Sequence, residues 1–489
     1  MARAASDDGP LWIGLDVGTQ SVRALLVGEG GRVAASGSEP LESRRDGARH
    51  EQDPERWWQA VTGACRAALR DLAPERVQGV AVCATSGTIV LVDRQGAALT
   101  VGYMYDDARA ADEARTINAI GAPIRVGDTW GLPKLVWALK ARPDHVAAGA
   151  RLAHQADYVA RRLTGHDVPA DCSHALKSGY DVVAEAWPQA LLEQLGVPDG
   201  VLPDVVRSGT PLGTVCAEAS LTTGLAAGTP VIAGMTDGCA GQLAAGALLP
   251  GQWNSVLGTT LVLKGVSREL VSDPGGVLYC HRAPDGGWLP GGASSSGAGV
   301  LSDAFGGRDL DGLGRRAHAH LPTGVLAYPL SSRGERFPFS APQADAFLLG
   351  ESAGEDEHFA ALLQGLAFVE RLCFDYVDLL GARTDGELSF TGGATRSRVW
   401  CQLRADVLGR TVAVVEQAES AFGMAVLAAA STAGRSVADM AAAMVGVRHV
   451  VQPRPQHADQ LRATYTRFVD ELERRGWLGP ALAAHARSR

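Results

Sequence analysis

A short turn near the start of the sequence carries residue types suited to binding a phosphate and a metal ion. In Asp16-Val17-Gly18-Thr19, the glycine lets the backbone approach a ligand closely, and Thr19 adds a hydroxyl and an amide. Asp16 supplies a carboxylate that can hold a cation such as Mg²⁺. The same residues also suit a plain hairpin turn, so this turn alone leaves both interpretations open.

A second turn, Gly258-Thr259-Thr260, repeats this chemistry without the acidic residue. It follows the apolar residues WNSVL and precedes LVLKG, as the first turn separates two apolar segments. Two Gly-Thr hairpins at equivalent places in two halves of a chain predict a clamp that holds a polyphosphate from both sides.

Asp237 is the candidate general base. It lies in Met235-Thr236-Asp237-Gly238, directly after an apolar segment and before a stretch typical of a helix. Open α/β sheets bind ligands at the carboxyl ends of their strands, which is where this carboxylate is expected. An aspartate at such a place also commonly caps the following helix, and the two roles are compatible.

Two glycine-rich segments are candidates for contact with a nucleotide. Gly392 and Gly393 begin a turn that runs to Ser397 and precedes a helix, whose first amides can bind an anion or the polar edge of a nucleotide. A loop that needs glycine for its turn geometry is the alternative. Residues 291–299, GGASSSGAG, include Gly297 and allow the same two interpretations, with a flexible loop favoured.

Other polar and aromatic residues are assigned mainly to structure. Thr85-Ser86-Gly87-Thr88 ends an apolar segment, and its hydroxyls could bind a polyol, although a hairpin turn is the favoured interpretation of these residues by themselves. Glu335 and Arg336 are predicted to form a surface or interdomain ion pair. Three of the ten tryptophans are predicted to pack in the core or against helices, namely Trp57, Trp58 and Trp137.

The hydrophobic pattern predicts alternating strands and helices that position these turns. The domain seam is expected at residues 246–253, where Pro and Gly interrupt the pattern. A strand, a glycine-rich or polar turn and a helix recur after residues 231 and 388, which favours a duplicated α/β unit. We predict strands over residues 11–15, 22–27, 231–233 and 388–391, a turn over 16–20, and helices over 54–70, 358–380 and 457–475.

Composition excludes several classes of protein. The 489 residues are 46% apolar, enough for two large domains, and the net charge of −9 argues against a nucleic-acid or anionic-membrane binder. The eight cysteines form no CxxC pair, so a reduced, cytoplasmic protein without a zinc site is expected. No apolar run is long enough to span a membrane, and the first ten residues lack the apolar core of a secretory signal.

Familiar nucleotide and nucleophile motifs are missing from the sequence. There is no GxxxxGK[ST] loop, no GxGxxG after the first strand, no HRD or DFG pair, and no GxSxG. The polar turns at strand ends therefore remain as the candidate chemistry.

In combination, these segments resemble the FGGY carbohydrate kinases. The resemblance rests on GLDVGTQSVR, VLGTT, TGGATRSRVWCQLRADVLGR and AESAFGMAVLAA, and it covers nearly the whole chain. It implies an α/β fold of two actin-like, ribonuclease-H-like domains flanking an ATP and sugar cleft. The expected domains are residues 1–245, which bind the sugar and carry the base, residues 246–445, which bind the nucleotide, and a helical tail, 446–489.

The resemblance implies a role for each candidate residue. ATP and Mg²⁺ are the expected cofactors, with Asp237 as the catalytic base and as a substrate contact, and with Asp16 and Asp237 as the metal ligands. Ser86 matches a sugar-contacting position. The expected ATP-contacting residues are Asp16, Gly18, Thr19, Gly258, Thr259, Gly297, Gly392, Gly393 and Ser397.

The expected sugar is D-ribulose, phosphorylated on its terminal hydroxyl to D-ribulose 5-phosphate. HQADYVARRLTG, HALKSGYDV, LGTTLVLKG and GERFPF look most like the D-ribulose kinase branch of the family, some members of which are labelled xylulose-kinase-like. Xylulokinases typically have Gln-Met-His-Gly where this chain has Ala84-Thr85-Ser86-Gly87. A xylulokinase, another polyol or ketose kinase, and an actin-like ATPase scaffold without sugar turnover are the alternatives, and a homodimer is expected.

Overall fold

The computed structural model describes residues 9–121 and 125–489 as a mixed α/β protein. Residues 1–8 of the segment assessed for a secretory signal lie outside the described residues. The strands are β1 (Leu11–Val17), β2 (Ser21–Gly28), β3 (Val33–Pro40), β4 (Arg44–Asp46), β5 (Arg49–Gln52), β6 (Val77–Ala84), β7 (Ile89–Val92), β8 (Gly102–Tyr103), β9 (Arg151–His154), β10 (Ala170–Asp171), β11 (Val205–Val206), β12 (Pro211–Thr214), β13 (Pro230–Ile232), β14 (Trp253–Leu257), β15 (Leu261–Gly265), β16 (Tyr279–Arg282), β17 (Trp288–Ala293), β18 (Leu326–Tyr328), β19 (Phe347–Leu349), β20 (Leu388–Thr391), β21 (Val412–Val415) and β22 (Val447–Val451).

Helices alternate with these strands through most of the chain. Where the structure describes the chain, no helix combines the length and the apolar character needed to cross a bilayer. The helices are α1 (Pro54–Leu69), α2 (Ala111–Ile120), α3 (Gly131–Ala141), α4 (Pro143–Ala147), α5 (Gln155–Thr164), α6 (Cys172–Ala175), α7 (Gln189–Gln194), α8 (Ala217–Thr223), α9 (Asp237–Ala244), α10 (Gly299–Phe305), α11 (Leu310–Ala317), α12 (Glu355–Leu379), α13 (Arg398–Leu408), α14 (Ser420–Ala433), α15 (Val437–Met444), α16 (Ala458–Arg474) and α17 (Pro480–Ser488).

The chain divides into two compact units that differ from the three predicted segments. Unit 1 contains Met1–Gly246, His281–Gly286 and Glu419–Val445, and unit 2 contains the remaining residues. Helices α14 and α15 therefore belong to unit 1, and the tail from Gly446 belongs to unit 2. The reason is packing: α14 is apolar on all sides and lies against β1, where a Cβ added to Gly14 would be 1.7 Å from the carbonyl oxygen of Ala421.

Unit 1 is built on a six-stranded sheet in the order β12-β13-β6-β1-β2-β3. Strand β1 pairs antiparallel with β2 and parallel with β6, and β6 pairs parallel with β13.

The core beneath this sheet contains Trp57 and Trp58, as predicted, while Trp137 is half-buried against a second apolar cluster.

In unit 2, strands β17-β15-β14-β20-β21-β22 lie side by side in one sheet with the same central pattern. Strand β14 pairs antiparallel with β15 and parallel with β20, and β20 pairs parallel with β21. By position, β6 corresponds to β20 and β13 corresponds to β21. The strand–turn–helix segments after residues 231 and 388, which favoured a duplicated α/β unit, therefore occupy different positions in the two sheets.

The predicted turn over residues 16–20 is too long. Asp16 and Val17 are strand residues of β1. In the antiparallel pairing with β2, Asp16 lies opposite Arg23 and Val17 lies opposite Val22. Asp16 also pairs with Cys83 of β6, so its backbone is held on both sides. A central strand can extend beyond its apolar residues because pairing with a neighbouring strand on each side, more than the propensity of a single side chain, decides where it ends.

Candidate active site

Three parallel strands of unit 1 end together and bring Asp16, Ser86 and Asp237 to one edge of the sheet. Asp16 is paired with Cys83, and Ala84 forms a bridge with Thr236. Ser86 follows β6 by two residues, and Asp237 follows Thr236 directly. The carboxyl edge of an open α/β sheet is a common ligand site, and the register places there Asp16, the predicted base Asp237, and Ser86, which was predicted to contact sugar.

The carboxyl of Asp16 lies in an environment that disfavours its charge. Burial and, to a smaller extent, the nearby carboxylate of Asp237 together raise the pKa of Asp16 to about 7, against the lowering effects of the Cys83 thiol and Arg23. A like charge acts strongly only at short range, so the two acidic groups form one electrostatic site.

This pair of carboxylates fits Mg²⁺. The ion prefers oxygen ligands and is commonly held by one or two carboxylates plus substrate phosphates and water, rather than by a full protein cage. No group of three or more His, Cys, Asp or Glu side chains suited to a metal occurs in the described part of the chain.

Asp237 is the first residue of α9, and Thr236 occupies the N-cap position. The cap predicted at Asp237 is thus displaced by one residue. The Oδ1 atom of Asp237 still accepts a hydrogen bond from the backbone amide of Gly238, at 2.6 Å. The carboxylate is half-buried, so it is held by the start of the helix and keeps access to a ligand.

The turn that carries Gly18 and Thr19 is held from the core. The amide of Gly18 donates to the carbonyl of Ser21 at 3.1 Å, and the Gln52 side chain donates to the carbonyl of Thr19 at 2.7 Å. Gln52 in turn accepts from the indole of Trp57 at 2.7 Å. Sequence reasoning missed Gln52, because its role depends on a strand that is distant in the chain.

The hydroxyl of Ser86 is buried and has no hydrogen-bond partner, whereas its neighbours are bonded within the protein. The hydroxyls of Thr85 and Thr88 lie 2.5 Å apart, and the Gln155 side chain is 3.0 Å from Thr85. The ammonium of Lys177 donates to the carbonyl of Ser86 at 3.3 Å. Ser86 therefore has a free hydroxyl beside a cation that sequence analysis did not select.

In unit 2, the predicted phosphate turn is closely packed against the segment that contains Gly297. The amide of Ala298 donates to the carbonyl of Gly258 at 2.8 Å, and that of Gly299 donates to Thr259 at 3.1 Å. A Cβ at Gly297 would lie 2.2 Å from the carbonyl oxygen of Thr259. The structure thus brings Gly258, Thr259 and Gly297 together.

The flexible loop expected at residues 291–299 is wrong, and so is the surface ion pair expected at Glu335. The segment begins within strand β17, and Glu335 is only 3% exposed. The Glu335 carboxylate accepts from the Ser294 hydroxyl, the Ser295 amide and the Tyr328 hydroxyl at 2.6–2.9 Å. A buried carboxylate that satisfies several donors orders this serine-rich segment, which composition alone does not reveal.

The turn after β20 lies against the end of β14. Gly392 has a φ of 86°, and a Cβ there would be 2.6 Å from the carbonyl oxygen of Leu257. Gly393 begins a short 3₁₀ turn, and the Ser397 hydroxyl accepts from the amide of Trp400 at 3.2 Å as the N-cap of α13. The glycines are thus placed beside the Gly258 turn, while the Ser397 side chain is engaged in capping.

The chain is similar to known carbohydrate kinases over most of its length. Residues 11–244 match the model of the N-terminal domain of the FGGY family of carbohydrate kinases, and residues 254–432 match its C-terminal domain. A xylulose kinase of Streptomyces rubiginosus is 30% identical over 451 residues, which cover 89% of this chain and 90% of the relative. An autoinducer-2 kinase of Photorhabdus laumondii is 29% identical over 501 residues, 94% of this chain and 93% of the relative.

The fold is also found in solved structures. The xylulose kinase of Rhodospirillum rubrum superposes with a TM-score of 0.85 at 27% identity, covering 94% of this chain and 98% of that chain. The predicted class, an α/β protein with two actin-like domains, is confirmed by this likeness.

Proposed function

Because this chain belongs to the FGGY family of carbohydrate kinases, we propose that it transfers the γ-phosphoryl group of ATP to the terminal hydroxyl of a ketopentose, D-ribulose. The observation that carries the proposal is the edge of the unit 1 sheet, where Asp16, Ser86 and Asp237 lie at the carboxyl ends of three adjacent parallel strands. Carboxylates and a free hydroxyl at such an edge suit a polyhydroxylated substrate and a proton transfer.

Asp237 accepts the proton of the attacking sugar hydroxyl. Its carboxylate is oriented by the amide of Gly238 and remains half-buried, so it is partly accessible from solvent. A positioned general base typically contributes about 10²–10⁴-fold to the rate. Phosphoryl transfer needs little covalent assistance beyond this, because in-line positioning and charge neutralisation dominate.

Asp16 and Asp237 would hold Mg²⁺, which would neutralise charge on the transferring phosphoryl group. In unit 1, the turn at Gly18 and Thr19 contributes amide and hydroxyl donors for ATP phosphate. In unit 2, the packed glycines and Thr259 contribute further donors, with the Gly392 turn and Ser397 assigned to the adenosine part. The homodimer and the cytoplasmic location remain predictions from the sequence.

Sugar preference is the first expected result. This chain has Ala84-Thr85-Ser86-Gly87 where xylulokinases typically have Gln-Met-His-Gly, and the Ser86 hydroxyl has no partner within the protein. Both observations support D-ribulose as the substrate. We expect kcat/KM for D-ribulose to exceed that for D-xylulose and glycerol by about 10-fold or more. A site that forms a hydrogen bond with a substrate hydroxyl discriminates against a substrate whose hydroxyl is missing or points elsewhere.

The measurement is sugar-dependent ADP release by the purified protein, over pentuloses, tetruloses, hexuloses, polyols and autoinducer-2. Two of these arms follow the similar proteins that are xylulose kinases and autoinducer-2 kinases. A higher kcat/KM with D-xylulose or autoinducer-2 would overturn the D-ribulose assignment. ATP hydrolysis that no sugar stimulates would favour an actin-like scaffold over any kinase.

The two threonine turns provide a second expected result. Thr19→Ala and Thr259→Ala should each lower kcat/KM for ATP by about 5- to 150-fold, the equivalent of about 1–3 kcal/mol for a hydrogen bond to a charged group. The backbone hydrogen bonds that close both turns do not involve the side chains, so folding should be retained. Thr19→Ser and Thr259→Ser keep the hydroxyl and serve as controls. Unchanged ATP kinetics in both alanine variants would contradict phosphate contact at these turns.

A further inference from the structure

A buried group of polar residues lies behind the two strand ends that carry Ser86 and Asp237. It consists of Asp171, at the end of β10, and of Ser173 and His174 in α6. All three side chains are nearly or fully inaccessible to water, with exposures of 3%, 0% and 0%. Burying an acid, a hydroxyl and an imidazole is costly unless each is bonded, so the partners of these groups are informative.

Ser173 connects this group to the residue before the proposed base. Its hydroxyl lies 2.6 Å from Oδ1 of Asp171, and the backbone amide of Thr236 donates to the same hydroxyl at 2.8 Å. Because an amide can only donate, the Ser173 oxygen must accept from Thr236 and give its proton to Asp171. The direction of donation along these two hydrogen bonds is therefore fixed, from Thr236 through Ser173 to Asp171. Thr236 is the residue immediately before Asp237.

His174 connects the same carboxylate to the strand that precedes Ser86. Its Nδ1 lies 2.5 Å from Oδ2 of Asp171, and its Nε2 lies 3.2 Å from the carbonyl oxygen of Ala84. Both ring nitrogens face acceptors, so both carry a proton in the bonded state. Burial by itself would lower the pKa of His174, but the charge and hydrogen bond of Asp171 raise it to about 9, in agreement with an imidazolium.

We propose that Asp171, Ser173 and His174 are positioning residues. Through hydrogen bonds to the buried carboxylate of Asp171, they fix the positions of the catalytic base and of the sugar-contacting turn. The Ser173 branch holds Thr236 and so orients Asp237. The His174 branch holds Ala84 and so orients the turn with Ser86. The inference rests on the proposed function, because it assigns the two branches to two parts of the same reaction.

The two branches have separable consequences. Loosening Thr236 misplaces the group that takes the proton, which lowers kcat and leaves the sugar contacts in place. Loosening Ala84 misplaces the turn that binds the sugar, which raises the KM for sugar. A displacement of about 1 Å at a reacting group can cost on the order of 10²-fold in rate, so even a buried, indirect contact should be measurable.

The experiment compares Ser173→Ala, Ser173→Thr and His174→Asn in the full-length protein. Ser173→Ala should lower kcat by about 10-fold or more with the sugar KM within about 3-fold, and Ser173→Thr, which keeps the hydroxyl, should restore kcat. The Asn amide nitrogen can replace Nδ1 beside Asp171 but cannot reach Ala84. His174→Asn should therefore raise the sugar KM by about 5-fold or more with kcat within about 3-fold.

Thr223→Ala is the matched control. The Thr223 hydroxyl is fully buried in unit 1, donates to the carbonyl of Ala219 at 2.7 Å and accepts from the amide of Leu225 at 3.2 Å. The Thr223→Ala variant thus loses one donated and one accepted hydrogen bond of a buried hydroxyl, as Ser173→Ala does. We expect a similar decrease in melting temperature and unchanged kcat and KM.

The outcomes separate this inference from the proposed function. A wild-type protein without sugar-dependent ADP release overturns the proposed function itself. An active wild type whose Ser173→Ala variant keeps kcat within about 3-fold, or is slowed no more than Thr223→Ala, overturns the positioning role. Changes of kcat and KM together in both variants overturn the separation into two branches. If Ser173→Ala does not fold, Ser173→Cys, with its weaker thiol hydrogen bonds, must show the same selective decrease in kcat.

Discussion

Asp237→Asn is expected to lower kcat by about 100-fold or more while changing the melting temperature little. Asparagine has the size of aspartate and its side-chain oxygen can still accept from the amide of Gly238, so the start of α9 is preserved. It cannot accept a proton at neutral pH, so the proposed step is lost. Sugar and ATP binding should remain, because the backbone and neighbouring turns are unchanged.

The measurement combines steady-state kinetics, ligand titration and thermal unfolding. Asp439→Asn is the control, because Asp439 is also an acid in the first turn of a unit 1 helix and is exposed. It removes one charge from a helix start without touching the carboxyl edge of the sheet. Turnover of Asp237→Asn within a few-fold of wild type would remove Asp237 from the mechanism.

Gly297→Ala is expected to raise the KM for ATP by about 10-fold or more. The added Cβ would lie 2.2 Å from the carbonyl oxygen of Thr259 and 2.3 Å from Cα of Thr260, so the turn must move. Both atoms belong to the backbone, and forcing a methyl group into a packed site commonly costs about 1–3 kcal/mol. The displaced turn is the one that should contact phosphate, so binding of ATP suffers more than binding of sugar.

Gly324→Ala provides the comparison in the same unit. Its added Cβ would meet no atom within 4 Å, so ATP kinetics and the melting temperature should match those of wild type. The KM values for ATP and for sugar are measured on both variants below their unfolding temperatures. An ATP KM for Gly297→Ala close to the wild-type value would show that this turn does not contact the nucleotide.

Local sequence patterns were sufficient for most of the elements that carry the site. Strand 388–391 was predicted with its observed bounds, and helices α1, α12 and α16 were predicted to within three residues at each end. These segments have strong periodicity and clear end signals, such as Pro54 at the start of α1. The Asp16 turn was misjudged because strand pairing from β2 and β6 extends β1 beyond its apolar residues.

Interactions between distant segments explain the other differences. Glu335 and Arg336 looked like an exposed pair, but the carboxylate is buried among serines about 40 positions earlier in the chain. The assignment of α14 to unit 1 has the same origin, since its small residues allow close contact with β1 and α9. A hydropathy pattern reports that a helix must be buried, and does not report against which sheet.

The sequence by itself determined the chemistry available to this protein. The two Gly-Thr turns, Asp16, Asp237 and the glycines after β20 are recognisable because their residue types and local spacing are the signal. Only the tertiary structure decided which of them share a sheet edge, that the Ser86 hydroxyl is free, and that Asp171, Ser173 and His174 stand behind the two strand ends. The physical reason is that hydrogen bonding and electrostatic interaction act over a few ångströms in space, and residues separated by 63 and 90 positions meet only after the parallel strands have set their register.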